Sequence, residues 1–451
     1  MTMKKFYLLV LMAMAAISCQ REAEVIEPVP SPSENVTEEM SSSPYAISEE
    51  EALERLDAEL KVLYGESTRA NERRVSKISA ISYNRLYPNT RVSNANIADL
   101  LYIVEFADNN GSAILGADER VEDVFAVLDS DVISVEDFEN AASGVDDGDI
   151  KIYLAGLMLD EAVNQLTRDS FELRDPIISD LRYSYYEYDT LKNENRTCYL
   201  RTKWNQYSPY NNFCYDDDWN KCPAGCVTIA VAQTILHTNP QNSDYITLNG
   251  EEFSVELLNW KRINEQIPAD KVEIVNYEVA RYVSKLAQML EITFRPGGSE
   301  GNYHELETIL TDLGCYDAEL TYVDDSDFEG NIRDQLYVRG LPLPFAGKDN
   351  STGSGHAWVL DAYVHNVVDV FLVTVEGNAI ARKEYFGRQE TRKVHCNFGW
   401  AGSCDGYYSF AIFDLSTALP DADTVGEIND ISSAMTYDRY HDNMHGVFYS
   451  L

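Results

Sequence analysis

The stretch Pro223-Ala224-Gly225-Cys226-Val227-Thr228-Ile229-Ala230-Val231-Ala232-Gln233-Thr234-Ile235-Leu236 decides how this chain is read. A glycine precedes a cysteine, and the cysteine opens a run of small and apolar residues free of proline and glycine. That run predicts a buried helix with Cys226 in its first turn. Unpaired N–H groups and the positive end of the helix dipole gather there and favour a thiolate over a thiol. A thiolate becomes a nucleophile when a base stands beside it. Far downstream, Gly355-His356-Ala357-Trp358-Val359-Leu360 supplies the candidate base on a strand-like segment. Taken alone, a cysteine in an apolar run is most often a buried structural residue. The reading of Cys226 therefore depends on its companions.

The beginning of the chain reads as an export signal. Lys4 and Lys5 precede an apolar run, Phe6 to Ile17, too short to span a bilayer. Ala16-Ile17-Ser18-Cys19 resembles a bacterial lipobox, with residues 1–18 as the signal peptide and Cys19 as the lipidated first residue. An ordinary signal peptide with an incidental cysteine is the alternative. Gln20 in place of Asp points, by resemblance to Gram-negative lipoproteins, to the outer membrane, with the protein at the cell surface or in the periplasm. Attachment would be through the lipid only. Residues 19–45, with Pro28, Pro30, Pro32 and many Ser and Glu, predict a flexible acidic tether.

The 451 residues carry a formal net charge of −39. Such a charge argues against nucleic acid and anionic lipid as partners. Its plainest reading is a solvated acidic surface. There are eight cysteines, and setting Cys19 aside leaves an odd number, so at least one thiol stays free in an oxidising compartment. Cys226 is the one expected free. Cys214 and Cys222 are closely spaced, as are Cys396 and Cys404, but spacing alone assigns no pairing, and Cys198 and Cys315 stay open as well.

Two folded units follow the tether. Ser48 and Glu51 have capping-box spacing, Leu53, Leu56, Leu60 and Leu63 mark one helical face, and Gly65 suits the stop. Leu101–Phe106 and Ser112–Gly116 read as a hairpin across Asp108-Asn109-Asn110-Gly111, Val121–Leu128 as a third strand, and Ile150–Leu166 as a helix. The polar stretch 185–203 suits a boundary and a cleavage site, giving a first domain of residues 46–195. Residues 196–451 then carry helices at Cys226, Lys271–Glu291 and Tyr303–Leu313. Strands are expected at Ala357–Tyr363, Val368–Val375, Arg392–Phe398 and Tyr407–Ile412. Helices first and strands later is the order of an α+β fold.

Six motifs occur in order: Trp204-Asn205-Gln206, Pro209-Tyr210-Asn211, Ala224-Gly225-Cys226-Val227, Ala232-Gln233-Thr234-Ile235, Gly355-His356-Ala357 and Asn397-Phe398-Gly399-Trp400-Ala401-Gly402. Together they resemble the streptopain family of papain-like cysteine proteases, over about residues 200–450. Residues 100–128 also look like the hairpin of that family's inhibitory propeptide. The resemblance implies a papain-like cysteine protease domain preceded by a small α+β inhibitory propeptide domain, and an endopeptidase acting on protein or peptide substrates.

Cys226 would be the nucleophile. His356 would hold it as a thiolate–imidazolium pair and later protonate the leaving amine. The Gln206 amide would join the Cys226 backbone N–H in an oxyanion hole. Asn397 would accept the second His356 N–H, and Trp400 would cover that contact. The family usually carries Trp directly after this Asn; here it is Phe398, which leaves any indole N–H contact in question. Gly399, Gly402 and Gly406 suit a mobile loop at the cleft.

No cofactor is implied. The chain has neither His-Glu-x-x-His nor Cys-x-x-Cys, so no metal site is supported, and Asp216-Asp217-Asp218 reads as a solvated loop. Of the remaining histidines, His237 ends the Cys226 helix, His395 reads as an edge or core residue, and His304, His365, His441 and His445 lack a supporting motif. The whole reads as a lipid-anchored zymogen with its own prodomain as inhibitor, the mature protease being released on cleavage. Two rivals share the motifs: a catalytically silent binding or inhibitory lipoprotein, and a papain-like fold used for amidase or transglutaminase chemistry.

Overall fold

Ser48 opens the first helix, α1 (Glu49–Tyr64): its hydroxyl accepts from the Glu51 N–H, and three glutamates line the first turn. Gly65, at φ 66°, ends it, and Ala52, Leu56, Leu60 and Leu63 face inward. The computed structural model describes residues 45–65, 73–86, 99–145, 149–166, 184–197, 200–262, 266–299, 301–322, 327–348, 355–376, 379–413 and 444–451. The expected signal peptide 1–18, Cys19, nearly all of the tether, Cys198 and His441 lie outside the described residues. Residues 42–451 form one compact unit.

After α1 come β1 (Val75–Ser82), β2 (Asp99–Phe106), β3 (Ser112–Gly116) and β4 (Val124–Leu128), each antiparallel to the next. Two helices follow, α2 (Val135–Ala142), closed by a reciprocal Ser134–Asp137 capping box, and α3 (Ile150–Leu166), buried along most of its length. A strand, β5 (Ser184–Arg196), leads into the second half. There, α4 (Cys226–Thr238) is followed by the hairpin β6 (Tyr245–Leu248) and β7 (Glu251–Ser254), then α5 (Val272–Met289) and α6 (Glu305–Asp312). The remaining strands are β8 (Tyr316–Tyr322), β9 (Leu343–Lys348), β10 (Gly355–Glu376), β11 (Ala379–Asn397), β12 (Gly406–Ser409) and β13 (His445–Ser450). The fold is α+β, as the element order predicts.

One sheet crosses both halves, in the order β1-β2-β3-β4-β12-β11-β10-β9-β13-β8, with β5 laid beside β10. The halves join at β4 and β12, which pair Leu128 with Gly406, Val127 with Tyr407 and Ala126 with Tyr408. A β-carbon at Gly406 would lie 2.4 Å from the Val127 carbonyl oxygen. This glycine serves close strand approach, not the loop mobility expected of it. Below the join, Leu154, Leu157 and Met158 of α3 share a core with Phe345, Trp358, Phe398 and Tyr408. A second core surrounds α4, which is buried from Thr228 to Leu236.

Several boundaries differ from the sequence reading. The two strands expected at 357–363 and 368–375 are one strand, β10, and β11 begins at Ala379, well before Arg392. The added part of β11, residues 379–391, is largely polar, and the His365-Asn366 pair interrupts the apolar run of β10, so neither extension reads as one alternating strand. They are held by mutual backbone pairing and by β5, which pairs with β10 from Tyr363 to Thr374. The boundary stretch thus contains a strand, although most of its described side chains remain outside the core. Tyr407–Ile412 divides into β12 and a short 3-10 helix, Phe410–Phe413. The six described cysteines, Cys214, Cys222, Cys226, Cys315, Cys396 and Cys404, are free thiols.

Gly406→Ala tests the join. The methyl group must push β12 from β4, and such overpacking costs about 1–3 kcal/mol. The thermal midpoint should fall by several degrees, and limited proteolysis should cut the N-terminal half sooner. An unchanged midpoint would contradict the close approach.

Candidate active site

Gly225, with φ 90°, occupies a backbone region that side chains disfavour, and it delivers Cys226 to the first position of α4. The Cys226 thiol engages three backbone groups, of Cys226 itself, Val227 and Ala357, each favouring the thiolate. The helix end therefore meets β10 at the residue after His356. Burial is the larger influence and raises the thiol above its ordinary range.

His356 lies on β10 opposite Gly347 of β9. Its ring centroid is 6.2 Å from Trp358, 6.1 Å from Phe398 and 6.0 Å from Trp400. The Trp400 indole Nε1–H donates to His356 Nε2 at 3.2 Å, and the Phe398 backbone forms another hydrogen bond to the ring. Burial pushes the imidazole down to about 4, against the opposing pull of the Phe398 contact. Burial thus opposes the expected thiolate–imidazolium pair at both groups, raising the thiol and lowering the imidazole. The indole contact left in question by Phe398 is supplied by Trp400.

The expected Asn397–His356 hydrogen bond is not among those of the described residues, and this part of the reading is corrected. Asn397 Oδ1 accepts from Gln233 Nε2 at 3.1 Å and from the Gly399 N–H at 3.2 Å, while Nδ2 donates to the Thr202 carbonyl at 2.8 Å. Both ends of the amide are thus spent on holding backbone. Gln206 is buried, and its carbonyl accepts from the Ala224 N–H at 2.8 Å, which ties it to the approach to Cys226.

The loop after Asn397 is stitched down rather than mobile. Gly399, Ala401, Gly402 and Cys404 all have positive φ, a conformation that costs energy at the two non-glycines. The Ala401 N–H donates to the Trp204 carbonyl at 3.0 Å, the Phe398 N–H donates to Asp405 Oδ1 at 2.9 Å, and the Ser403 hydroxyl donates to Asp131 of the N-terminal half. Burial pushes Asp405 up to about 7 despite the Phe398 N–H.

His395 is a core residue, as expected. Its Nδ1 lies 2.6 Å from Asp361 Oδ1, and its Nε2 lies 3.6 Å from Asp129 of the N-terminal half. Asp216 accepts from the Asp218 N–H, the Asn220 N–H and Asn220 Nδ2, which is a self-contained turn. Two residues escaped the sequence reading. Gln233 was quoted only as part of a motif; a lone amide two turns beyond Cys226 in an apolar helix was its signal. Tyr303 is buried, its hydroxyl finds no hydrogen-bond partner among the described residues, and burial and the nearby Cys226 raise its phenol. Nothing in its sequence context marked it.

A cysteine at a helix start, a strand histidine beside it and an aromatic loop fixing the ring define a cysteine-peptidase type of site. Residues 204–408 match the model of the peptidase C10 family, the streptopain family, and this match supports a cysteine peptidase. No curated protein matches the sequence. Among solved structures, a mutant fragment of prointerpain A from Prevotella intermedia is similar at 15% identity, covering 77% of this chain and 94% of that one, with a TM-score of 0.46. Active wild-type interpain A cysteine protease from the same organism is similar at 19% identity, covering 56% of this chain and 94% of that one, with a TM-score of 0.36.

A histidine whose folded pKa lies below its unfolded value gives stability that is complete above about 6.5 and lost as pH falls toward 4. Histidine-labelled NMR on the intact Cys226→Ala chain, with His356→Asn for assignment, should show one imidazole titrating near pH 4. A His356 imidazole titrating at 6.5 or above would contradict the enclosure.

Proposed function

We propose that the chain is the zymogen of a lipid-anchored cysteine endopeptidase. The observation that carries this reading is the engagement of the Cys226 thiol, at the N-terminus of α4, with the backbone of Ala357 next to His356, whose ring Trp400 orients. His356 takes the Cys226 proton as the sulfur attacks the scissile carbonyl carbon, and returns a proton to the leaving amine. The Cys226 N–H and the Gln206 amide stabilise the oxyanion. Water then hydrolyses the thioester, with His356 again as base.

Residues 46–195 act as the inhibitory prodomain. Two observations support this: β4 extends the catalytic sheet, and α3 packs against Trp358 and Phe398, two of the rings around His356. Packing of α3 against these rings adds to the burial that opposes ionisation of the pair, and loss of the prodomain relieves it. Cleavage falls in 185–203, where β5 must first peel from β10. Residues 1–18 are the signal peptide, and lipidated Cys19 tethers the zymogen at the outer membrane. Since the anchor lies on the prodomain side, cleavage releases the enzyme once the prodomain also separates from the shared sheet.

Protein lacking residues 1–19, as wild type and as Cys226→Ala, followed by intact mass, tests the reading. Wild type should shorten to a fragment beginning within 185–203 that hydrolyses casein, while the variant stays whole. A wild-type chain correctly cut by an added protease yet inert on casein would contradict it and favour a silent binding protein.

A further inference from the structure

We infer that Gln233 is a positioning residue for the peptidase chemistry proposed above, on which this inference rests. Its side chain is fully buried in α4 and bonded at both ends. Oε1 accepts from the Trp204 N–H at 3.2 Å, and Nε2 donates to Asn397 Oδ1 at 3.1 Å. The Trp204 carbonyl accepts from the Ala401 N–H at 3.0 Å, and Asn397 Nδ2 donates to the Thr202 carbonyl at 2.8 Å. These four hydrogen bonds close a ring through three separate pieces of chain. Each piece carries one part of the site. Residues 202–206 carry Gln206, α4 carries Cys226 two helical turns before Gln233, and residues 397–401 carry Trp400 with its indole N–H on His356.

Gln233 is the member common to all three. An amide suits the place, because it must offer an acceptor to a backbone N–H and a donor to a carbonyl-type oxygen at once. Leucine of similar size offers neither. Glutamate keeps the acceptor but sets an oxygen against Asn397 Oδ1. With the ring broken, the loop can move relative to α4 while the thiol and imidazole themselves stay intact. Displacement of a well-oriented pair by a fraction of an ångström is enough to slow the chemical step without changing substrate affinity.

The test uses the processed enzyme, with active sites titrated by a thiol-directed irreversible inhibitor, as wild type, Gln233→Leu, Gln233→Glu, Asn397→Ala and the double variant Gln233→Glu/Asn397→Ala. The expected result is a drop in kcat per titrated site of about tenfold or more in both Gln233 variants, with KM within about twofold. The double variant should be no slower than the slower of its two parents, because both substitutions open the same ring. A residue that merely supports the fold would lower the number of titratable sites and the thermal midpoint, and leave kcat per site unchanged. That outcome, or additive losses in the double variant, would overturn the inference. Inactive wild type would instead overturn the peptidase reading.

Discussion

The pairing of β12 with β4 on one side and β11 on the other is the constraint on which the rest depends. It makes the N-terminal half a continuation of the catalytic sheet rather than an appended cap. Loop 399–405 lies between β11 and β12, so the position of Trp400 over His356 is set partly by strands from the other half. The Asp129 N–H donates to the Asp405 carbonyl at 2.9 Å, directly at that join, and Ser403 is held by Asp131. The aromatic walls braced in this way, Trp358 and Phe398, are fully buried around a partly exposed His356, and their desolvation raises the thiol and lowers the imidazole.

The same seam is lined by opposite charges. Lys393 of β11 is almost fully enclosed and pairs with Glu122 at 2.6 Å and Glu59 at 3.2 Å. Burial alone would lower its ammonium, but Glu122 and Glu59 outweigh burial and hold it above its ordinary value. Burial likewise tends to raise Asp129, yet His395, Arg73 and Lys203 keep that carboxyl well below the usual range. Its contribution to stability is therefore present above the unfolded carboxylate pKa and lost as pH falls below it. Ion pairs this enclosed are costly to break by removing one member, since the other is left buried and uncompensated. They favour one docking of the two halves over sliding alternatives.

Much of this was legible in the sequence, for identifiable reasons. The apolar run after Cys226, the Ser48 cap, the 101–116 hairpin and the periodic 150–166 segment are strong local signals, and each becomes an element close to its expected limits. The motif pairs that resemble the streptopain family led to Cys226, His356 and Trp400, which the fold does bring together. The outer arm of β10 was legible as a strand, but its continuity with 357–363 was not. Neither was the start of β11, where 380–390 is largely polar, has no buried side chain among the described residues and is held by backbone pairing. The partner of Asn397 was not legible either. Which hydrogen bonds an amide makes depends on where α4 lies in three dimensions, and the side chain bonded to Asn397 is Gln233 rather than His356. The role of Gly406 became visible only with β4 beside it.

The claim that the joined sheet holds the thiol in its neutral form is tested most directly by the pH dependence of Cys226 alkylation. Iodoacetamide labelling, located by peptide mapping, would be followed on the intact chain and again after removal of the N-terminal half. In the intact chain, labelling should be negligible at pH 6 and rise only above the ordinary thiol range, about 8.5; after removal it should appear at acid pH. Rapid labelling of the intact chain already at pH 5–6 would mean that the thiolate–imidazolium pair is present there, and would contradict the account.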